Sequence, residues 1–558
     1  MKNVRGGSNV AVGRFLRSKF LLLIPILLSA FIHLWNPIGF PTFEQDEGIY
    51  LLRTLFVMNG LGPELPSSVY VHNYDHPYFG QIFLAGALSL INYPVSLNPS
   101  SDIHSIEMLH LVPRVLMGIL SIFDTFLVYK IADIRYNRKV GFISAALFAV
   151  MPATWFLRRI YLDSILLPFL LLSILFAVYY AKKAEPEHGN DNYDENNNGK
   201  VFNKKIIPVL LSGIFLGIAI FTKVPVFTMI PLLLFIILKN GNSSTKSRLK
   251  LAGIWFIPVI LIPMLWPAYA ASAGQLNEWL DGVLWQATRS DRPFPDELKN
   301  VFLRMDPVLL GLAAGGITYF IARKDYFILL WVFPYLIFLY LLNWFYFFHL
   351  ILVFPAFCIV ATKLLTDLFK IINKNNLREP IELTIFASII IFGFIFSTML
   401  ITQNINEPYF KLVSKVTQLV YDKNTSTNNN TQRVTLIGPG GIYSFYWIPS
   451  LVFNNNTDIK WFEENRDYIG GALKTEKFII ISDDEMRSYF LSNSKKQHVQ
   501  YVTQLYNNSI LYNVFKLDKP LSDLKSYPYT NILDDVYKEV AKMRGLDWRS
   551  YVDVKANY

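Results

Sequence analysis

The chain has 558 residues, of which 53% are hydrophobic and 15% aromatic and only 17% are charged, against about a quarter charged in soluble domains. With a mean hydropathy of +0.32 this is a membrane composition, so the net charge of +10 is read through membrane orientation and no nucleic-acid partner is expected. The one cysteine, Cys358, rules out an intramolecular disulfide and a thiolate metal cage.

A helix crosses a bilayer with about 20 mostly apolar residues, and eleven apolar runs recur along the sequence. They are Phe20–Trp35, Leu111–Ile131, Val140–Trp155, Ile160–Tyr180, Ile206–Phe221, Val226–Leu238, Leu249–Ala270, Val308–Ile321, Phe327–Trp344, Phe348–Phe369 and Ile385–Ile401. The first follows a basic segment, Met1–Lys19, and lacks a small-residue cleavage signal before Trp35, so it reads as a retained span. A single helix over Ile206–Leu238 would be about 50 Å long in a hydrocarbon core of about 30 Å. A kinked pair turning near Pro225 fits better.

Lys and Arg fall on alternate loops, at Arg135–Lys139, Lys182–Lys205, Lys239–Lys250, Arg323–Lys324 and Lys370–Arg378, with the N-terminus on the same side. That side is the cytoplasm by the positive-inside rule, which leaves the C-terminal stretch extracytoplasmic. The fold class expected is an α-helical polytopic membrane protein of about eleven transmembrane helices, in the plasma membrane, with a C-terminal extracytoplasmic α/β domain. Residues 1–401 form the membrane domain and 402–558 the outer one. Two outer loops, 36–110 and 271–307, are longer than a connection needs and are expected to carry function. In the tail, strands are expected at Val434–Ile437 and Lys477–Ile481 with helical stretches between, and Gly438–Gly441 as a turn rather than a phosphate cradle. The acidic stretch Glu185–Gly199 reads as a solvated linker. Acceptor sequons stand at Asn424, Asn429, Asn455 and Asn507.

Ionisable residues converge on the outer leaflet. Asp163 lies three residues into a span, one helical turn from Arg159 and beside Arg158. Lys223 adjoins the turn at Pro225, His349 opens a later span, Arg289 lies in the second long loop, and Asp46 and Glu47 follow the first span. Each has a plain alternative: a solvated cap for Asp46 and Glu47, snorkelling for Lys223, and a structural salt bridge to Arg159 for Asp163. Together they suit displacement of a phosphate leaving group. Cations (Arg158, Arg159, Lys223, Arg289, His349) would hold the phosphate, and carboxylates (Asp46, Glu47, Asp163) would take the proton of an attacking hydroxyl. His72, Asp75 and His76, with Asp46, are an alternative set for a divalent cation, though no fourth ligand is identifiable.

The run FEQDEGIY, Phe43–Tyr50, resembles the Asp-Glu motif of the glycosyltransferase C superfamily, specifically its family 39 of protein O-mannosyltransferases and lipid A aminoarabinose transferases. DHPYFGQIFLAGAL (Asp75–Leu88) is similar to the family's His-Pro-Pro segment with Tyr78 in place of the second proline. RVLMGILSIFDTFLVYKIA (Arg114–Ala132), MPATWFLRRIYLDSILLPF (Met151–Phe169), GIFLGIAIFTKVPVF (Gly213–Phe227) and FHLILVFPAF (Phe348–Phe357) follow in the family's order. The resemblance covers about Phe15–Phe369. It implies Asp46 as catalytic base, Glu47 as its acidic neighbour, Asp163 as a second acid with Arg159 beside it, and Lys223 and His349 near the donor phosphate. The tail does not resemble the β-trefoil module of eukaryotic O-mannosyltransferases. Glu44 and Asp46 imitate the acidic metal motif of the related oligosaccharyltransferase, but WFEENRDYIGG (Trp461–Gly471) does not supply its outer-domain motif.

The expectation is therefore inverting transfer of one sugar from a polyprenyl-phosphate donor to a protein or lipid hydroxyl. Donor would enter beside Lys223 and His349, and acceptor under the loop holding Arg289. A transporter or lipid flippase would instead show repeat symmetry and midplane charges, and a non-catalytic receptor would depend on its outer domain alone.

Overall fold

The computed structural model describes residues 19–65, 73–184, 198–239, 244–289, 294–295, 298–299, 306–372 and 378–407, with 409–411, 413–414, 417 and 447–448. In the tail it also describes 434–437, 477–482, 499–507 and 510–517. Fifteen helices are introduced here in chain order: α1 Leu23–Leu34, α2 Gln45–Met58, α3 Phe79–Ser89, α4 Ile103–Arg135, α5 Arg138–Val150, α6 Leu162–Ala184, α7 Asn198–Thr222, α8 Ile230–Lys239, α9 Thr245–Leu261, α10 Leu265–Ser272, α11 Leu276–Thr288, α12 Pro307–Arg323, α13 Tyr326–Leu342, α14 Phe354–Ile372 and α15 Arg378–Ile401.

Every apolar run read from the sequence carries helix. By length and composition four helical segments suffice to cross a membrane among the described residues: 103–135, 162–183, 245–272 and 379–401. Helix α5 and the 3-10 segment Pro152–Arg158 pass together but are bent by 68°. The run Ile206–Leu238 breaks as expected: α7 ends at Thr222, Lys223 is extended (φ −154°, ψ 120°), and Pro225 lies in a 3-10 turn, Val224–Met229, before α8. A proline that cannot donate to the helix ladder and a backbone already extended at Lys223 make the break.

The outer loops are more ordered than their lengths suggest. Loop 36–110 holds α2 and α3, and loop 271–307 holds α11. Helix α2 starts where Glu44 caps it and the Glu47 carboxylate reaches back to the Glu44 N–H at 3.2 Å, a reciprocal capping box. Helix α11 approaches the first loop closely, since a Cβ at Gly282 would overlap the carbonyl of Tyr74. Tyr74 in turn donates to Gln275 at 2.6 Å.

In the main core cluster α6 lies among α4, α7 and α8, and a second cluster joins Tyr74, Tyr78, Phe221, Trp266 and Ala270. Helices α7 and α9 meet backbone to backbone: a Cβ at Gly213 would sit 2.5 Å from the Trp255 carbonyl, and one at Gly217 2.5 Å from the Pro258 carbonyl. Small residues four apart bring helices this close where lipid supplies no hydrophobic drive.

In the tail, β1 (Val434–Ile437) pairs in parallel with β2 (Lys477–Ser482), and β4 (Ile510–Leu517) pairs antiparallel with both β2 and β3 (Val499–Asn507), giving the order β1-β2-β4-β3. The first two strands were legible in the sequence and the last two were not. The expected helical stretches, Gly438–Gly441, Asn424, Asn429, Asn455 and the stretch 185–197 lie outside the described residues.

Candidate active site

A buried brace fixes the end of the bundle that carries the two long loops. Glu47, fully enclosed, accepts from Arg114 Nε at 3.0 Å and Nη2 at 2.7 Å, and from the Ile160 N–H at 3.1 Å. Arg114, also fully enclosed, donates through Nη1 to the carbonyls of Pro37 and Pro41, each at 2.9 Å, with its guanidinium 3.9 Å from the Phe43 ring centre. One carboxylate thereby ties the first outer loop to α4 and to the start of α6. Breaking such a pair from one side costs about 3–5 kcal/mol, because the other charge is left uncompensated.

Two cations expected at a phosphate are held by the protein instead. Arg158 is fully buried and donates through Nη2 to the carbonyls of Trp35 (2.5 Å) and Asn36 (2.8 Å). Arg159 pairs with Glu44 at 3.2 Å and donates to Thr42 Oγ1 and Tyr161 OH, both at 3.1 Å. The expected pairing of Arg159 with Asp163 is replaced by these contacts. The reason is local: the backbone runs 3-10 through Arg158, extended at Arg159 (ψ 151°), and becomes α-helical only at Leu162, so the two residues never share a helix face. Asp163 instead binds Lys223, with Oδ2 2.7 Å from Nζ and both side chains almost fully buried. The extended backbone at the α7 break delivers Lys223 to this position, 5.1 Å from the centre of the Phe348 ring.

Asp46, half-buried in the first turn of α2, stands at the convergence of charges. Burial first, then the neighbouring carboxylates Asp75 and Glu44, push its carboxyl up to about 6, against the opposing pull of Lys223 and Arg289. His76 feels Lys223, Arg53 and Arg289 as well as Asp75, and burial holds its imidazole down at about 4, so it is neutral at pH 7. The charges of Lys223, Arg289 and His76 also reach His349. His349 Nδ1 accepts the Tyr346 N–H at 3.1 Å, which leaves the proton of the neutral ring on Nε2 as a donor. Arg289 packs over Trp344 (3.7 Å) and Trp285 (4.4 Å), a cation–π clamp that orients the guanidinium.

Asp46, Asp75, His76, Lys223, Arg289 and His349 thus lie within electrostatic reach of one another, and Asp163 is bound to Lys223. For the cation alternative, Asp75 is bound to Arg53 at 3.0 Å, His72 lies outside the described residues, and among the described residues no three His, Cys, Asp or Glu groups are placed to hold a metal ion. Sequence reasoning missed Arg114, Arg53 and the tryptophans under Arg289, and it named Glu44 for a metal motif rather than as the partner of Arg159. An arginine inside the apolar run after Leu111 is the one signal that could have found Arg114, since a charge at that depth demands a partner.

Residues 70–276 match the family described as Dolichyl-phosphate-mannose-protein mannosyltransferase, a stretch that includes Asp75, His76, Arg158, Arg159, Asp163 and Lys223. No curated protein sequence gives a significant match. Among solved structures, the chain superposes on apo ArnT from Cupriavidus metallidurans with a TM-score of 0.54 and 10% identity, covering 93% of this chain and 100% of that one. It superposes on the apo oligosaccharyltransferase of Archaeoglobus fulgidus with a TM-score of 0.55 and 14% identity, covering 87% and 73%. The chain therefore shares the fold of these enzymes over most of its length, and the mannosyltransferase match lies within that shared region.

Proposed function

We propose that the protein is an integral membrane glycosyltransferase that moves a single sugar, with inversion, from a polyprenyl-phosphate donor to a hydroxyl of a protein or lipid acceptor at the outer face of the membrane. The observation that carries this reading is Asp46, a carboxylate held up at about 6 within reach of Lys223 and Arg289. Such a base is mostly ionised at neutral pH yet takes a proton more readily than an ordinary carboxylate. In the proposed step the acceptor hydroxyl attacks the anomeric carbon and its proton passes to Asp46. The bond from that carbon to the phosphate oxygen breaks, and its electron pair leaves on the phosphate.

The donor phosphodiester carries one negative charge and the departing monoester gains a second. Interactions that strengthen with that gain accelerate the step. Lys223 and Arg289 supply positive charge and His349 Nε2 a hydrogen bond, while Asp163 positions Lys223. Glu47, Arg158 and Arg159 are assigned to positioning rather than chemistry. Residues 1–401 form the transferase domain and 402–558 the extracytoplasmic domain, with a cytoplasmic N-terminus in the plasma membrane.

The relatives support a lipid-phosphate donor. ArnT has been crystallised bound to undecaprenyl phosphate, and the A. fulgidus AglB has been seen with an inhibitory peptide and a dolichol-phosphate. The test is transfer of radiolabelled sugar from purified polyprenyl-phosphate donors by the full chain in nanodiscs. Transfer that depends on the lipid phosphate supports the reading, and failure to bind any such lipid overturns it.

A further inference from the structure

At the end of the bundle opposite Asp46, α4, α8, α12, α13 and α14 enclose a cavity of about 520 Å³. Arg114 of the brace, inside α4, and Arg135 at its C-terminal end beside this cavity are roughly 30 Å apart at about 1.5 Å per residue, the thickness of the hydrocarbon core. The cavity therefore opens at the other membrane surface, the cytoplasmic one by the loop charges. It carries six cations, Arg135, Lys239, Arg323, Lys324, Lys363 and Lys370, against two carboxylates, Asp325 and Asp367.

The carboxylates organise this charge without cancelling it. Asp367 holds Lys363, and at 3.1 Å each it holds Lys370 and the Tyr319 hydroxyl. Asp325 accepts from Arg135 at 3.1 Å and from the Tyr136 hydroxyl at 3.0 Å. Lys239, Arg323 and Lys324 make no ion pair among the described residues. Arg323 lies over Tyr319 (5.3 Å) and Lys239 over Phe235 (5.0 Å), contacts that hold cations without neutralising their charge. At the rim, Ile371 and Tyr326 are 59% and 47% exposed.

We propose that this cavity binds the phosphate of an anionic lipid headgroup from the cytoplasmic leaflet. A basic pocket between helices at that surface is suited to a phosphate diester, and its volume lies in the range of small-molecule sites, about 300–1,000 Å³. A soluble phosphate ester shares the headgroup chemistry. The exposed apolar rim favours the lipid, because acyl chains lie against it while the headgroup meets the cations. Catalysis at Asp46 is not required for this binding, so the site is separable from the proposed transfer.

The test uses the full chain in detergent and titrates dioctanoyl phosphatidylglycerol, dioctanoyl phosphatidylcholine, inorganic phosphate and AMP, with affinity read by native mass spectrometry and thermal shift. Phosphatidylglycerol is expected to bind and phosphatidylcholine to bind at least about tenfold more weakly. The double variant Lys239→Gln/Arg323→Gln should lose about tenfold or more in phosphatidylglycerol affinity, given about 1 kcal/mol per basic residue near a lipid surface. If the double variant does not fold, each single variant should lose about fivefold on the same basis. Equal binding of the two lipids, or unchanged affinity in folded variants, overturns the proposal. AMP or inorganic phosphate binding as tightly as phosphatidylglycerol overturns the lipid assignment.

Discussion

Asp46→Asn separates a catalytic carboxylate from a structural one, because the two roles predict opposite changes in stability. In the folded protein the carboxyl is raised from an ordinary 3.8 to about 6, so its ionisation is disfavoured by up to about 3 kcal/mol relative to the unfolded chain. The sign follows from the raised value: below pH 4 the group is protonated in both states and costs nothing, and above pH 6 the full cost is present. Replacement by a neutral isostere should therefore leave the melting temperature unchanged or higher at pH 7, with no gain at pH 4. Turnover, in contrast, should fall by at least about a hundredfold if Asp46 is the general base. In the wild type, turnover should follow the ionised fraction, falling about tenfold from pH 7 to pH 5 for a group at about 6. The assay is sugar transfer in nanodiscs with donor-lipid binding measured separately and unfolding followed by intrinsic fluorescence. Near-normal turnover in Asp46→Asn refutes the assignment, as does a loss of turnover accompanied by a lower melting temperature.

Glu47→Gln should act through the fold: an enclosed Arg114 left without its counter-charge costs about 3–5 kcal/mol, visible as a large drop in melting temperature. A stable variant that has lost turnover would return Glu47 to the chemistry. Lys223→Met should weaken use of the donor far more than acceptor binding, measured as the dependence of rate on donor concentration, and an unchanged dependence would leave Lys223 a structural partner of Asp163. Cysteine placed at Ser68 or Ser450 should react with an impermeant thiol reagent in intact cells while one at Ser247 should not, over a background in which Cys358 is buried. Opposite labelling of Ser68 and Ser450 would mean an odd error in the number of spans between them.

What could be read from the sequence was whatever depends on local pattern and depth. The apolar runs, the break beside Pro225 and the clustering of Asp46, Lys223 and His349 at one face all follow from hydropathy and the cost of charge in lipid. Pairing of charges did not follow. Arg159 and Asp163 are four apart in sequence, and helix periodicity puts them together, but the 3-10 turn at Pro152–Arg158 and the extended Arg159 undo that periodicity. The true partners, Glu44 for Arg159 and Lys223 for Asp163, come from segments far away in the chain. Strands β3 and β4 were missed because Val499–Asn507 and Ile510–Leu517 carry polar residues on a pattern that also suits an exposed segment.

The cations divide by burial and by how their hydrogen-bond donors are engaged, and in the proposed reading this separates donor-facing charges from braces. A guanidinium has five N–H donors and an ammonium three. Arg114 commits Nε, Nη1 and Nη2 to a carboxylate and two carbonyls, while Arg158 engages only Nη2, with the carbonyls of Trp35 and Asn36, and is set apart by its complete burial. Lys223 makes one ion pair, with Asp163, which offsets the cost of its burial and leaves two ammonium donors to offer. Among the described residues Arg289 is positioned largely through ring faces, with a long 3.4 Å contact to Gln286, which suits an edge-on approach of a phosphate oxygen. In the proposed reading, a phosphate whose charge grows during transfer needs positive charge held in place with donors left over, and Lys223 and Arg289 are the two cations whose charge reaches Asp46.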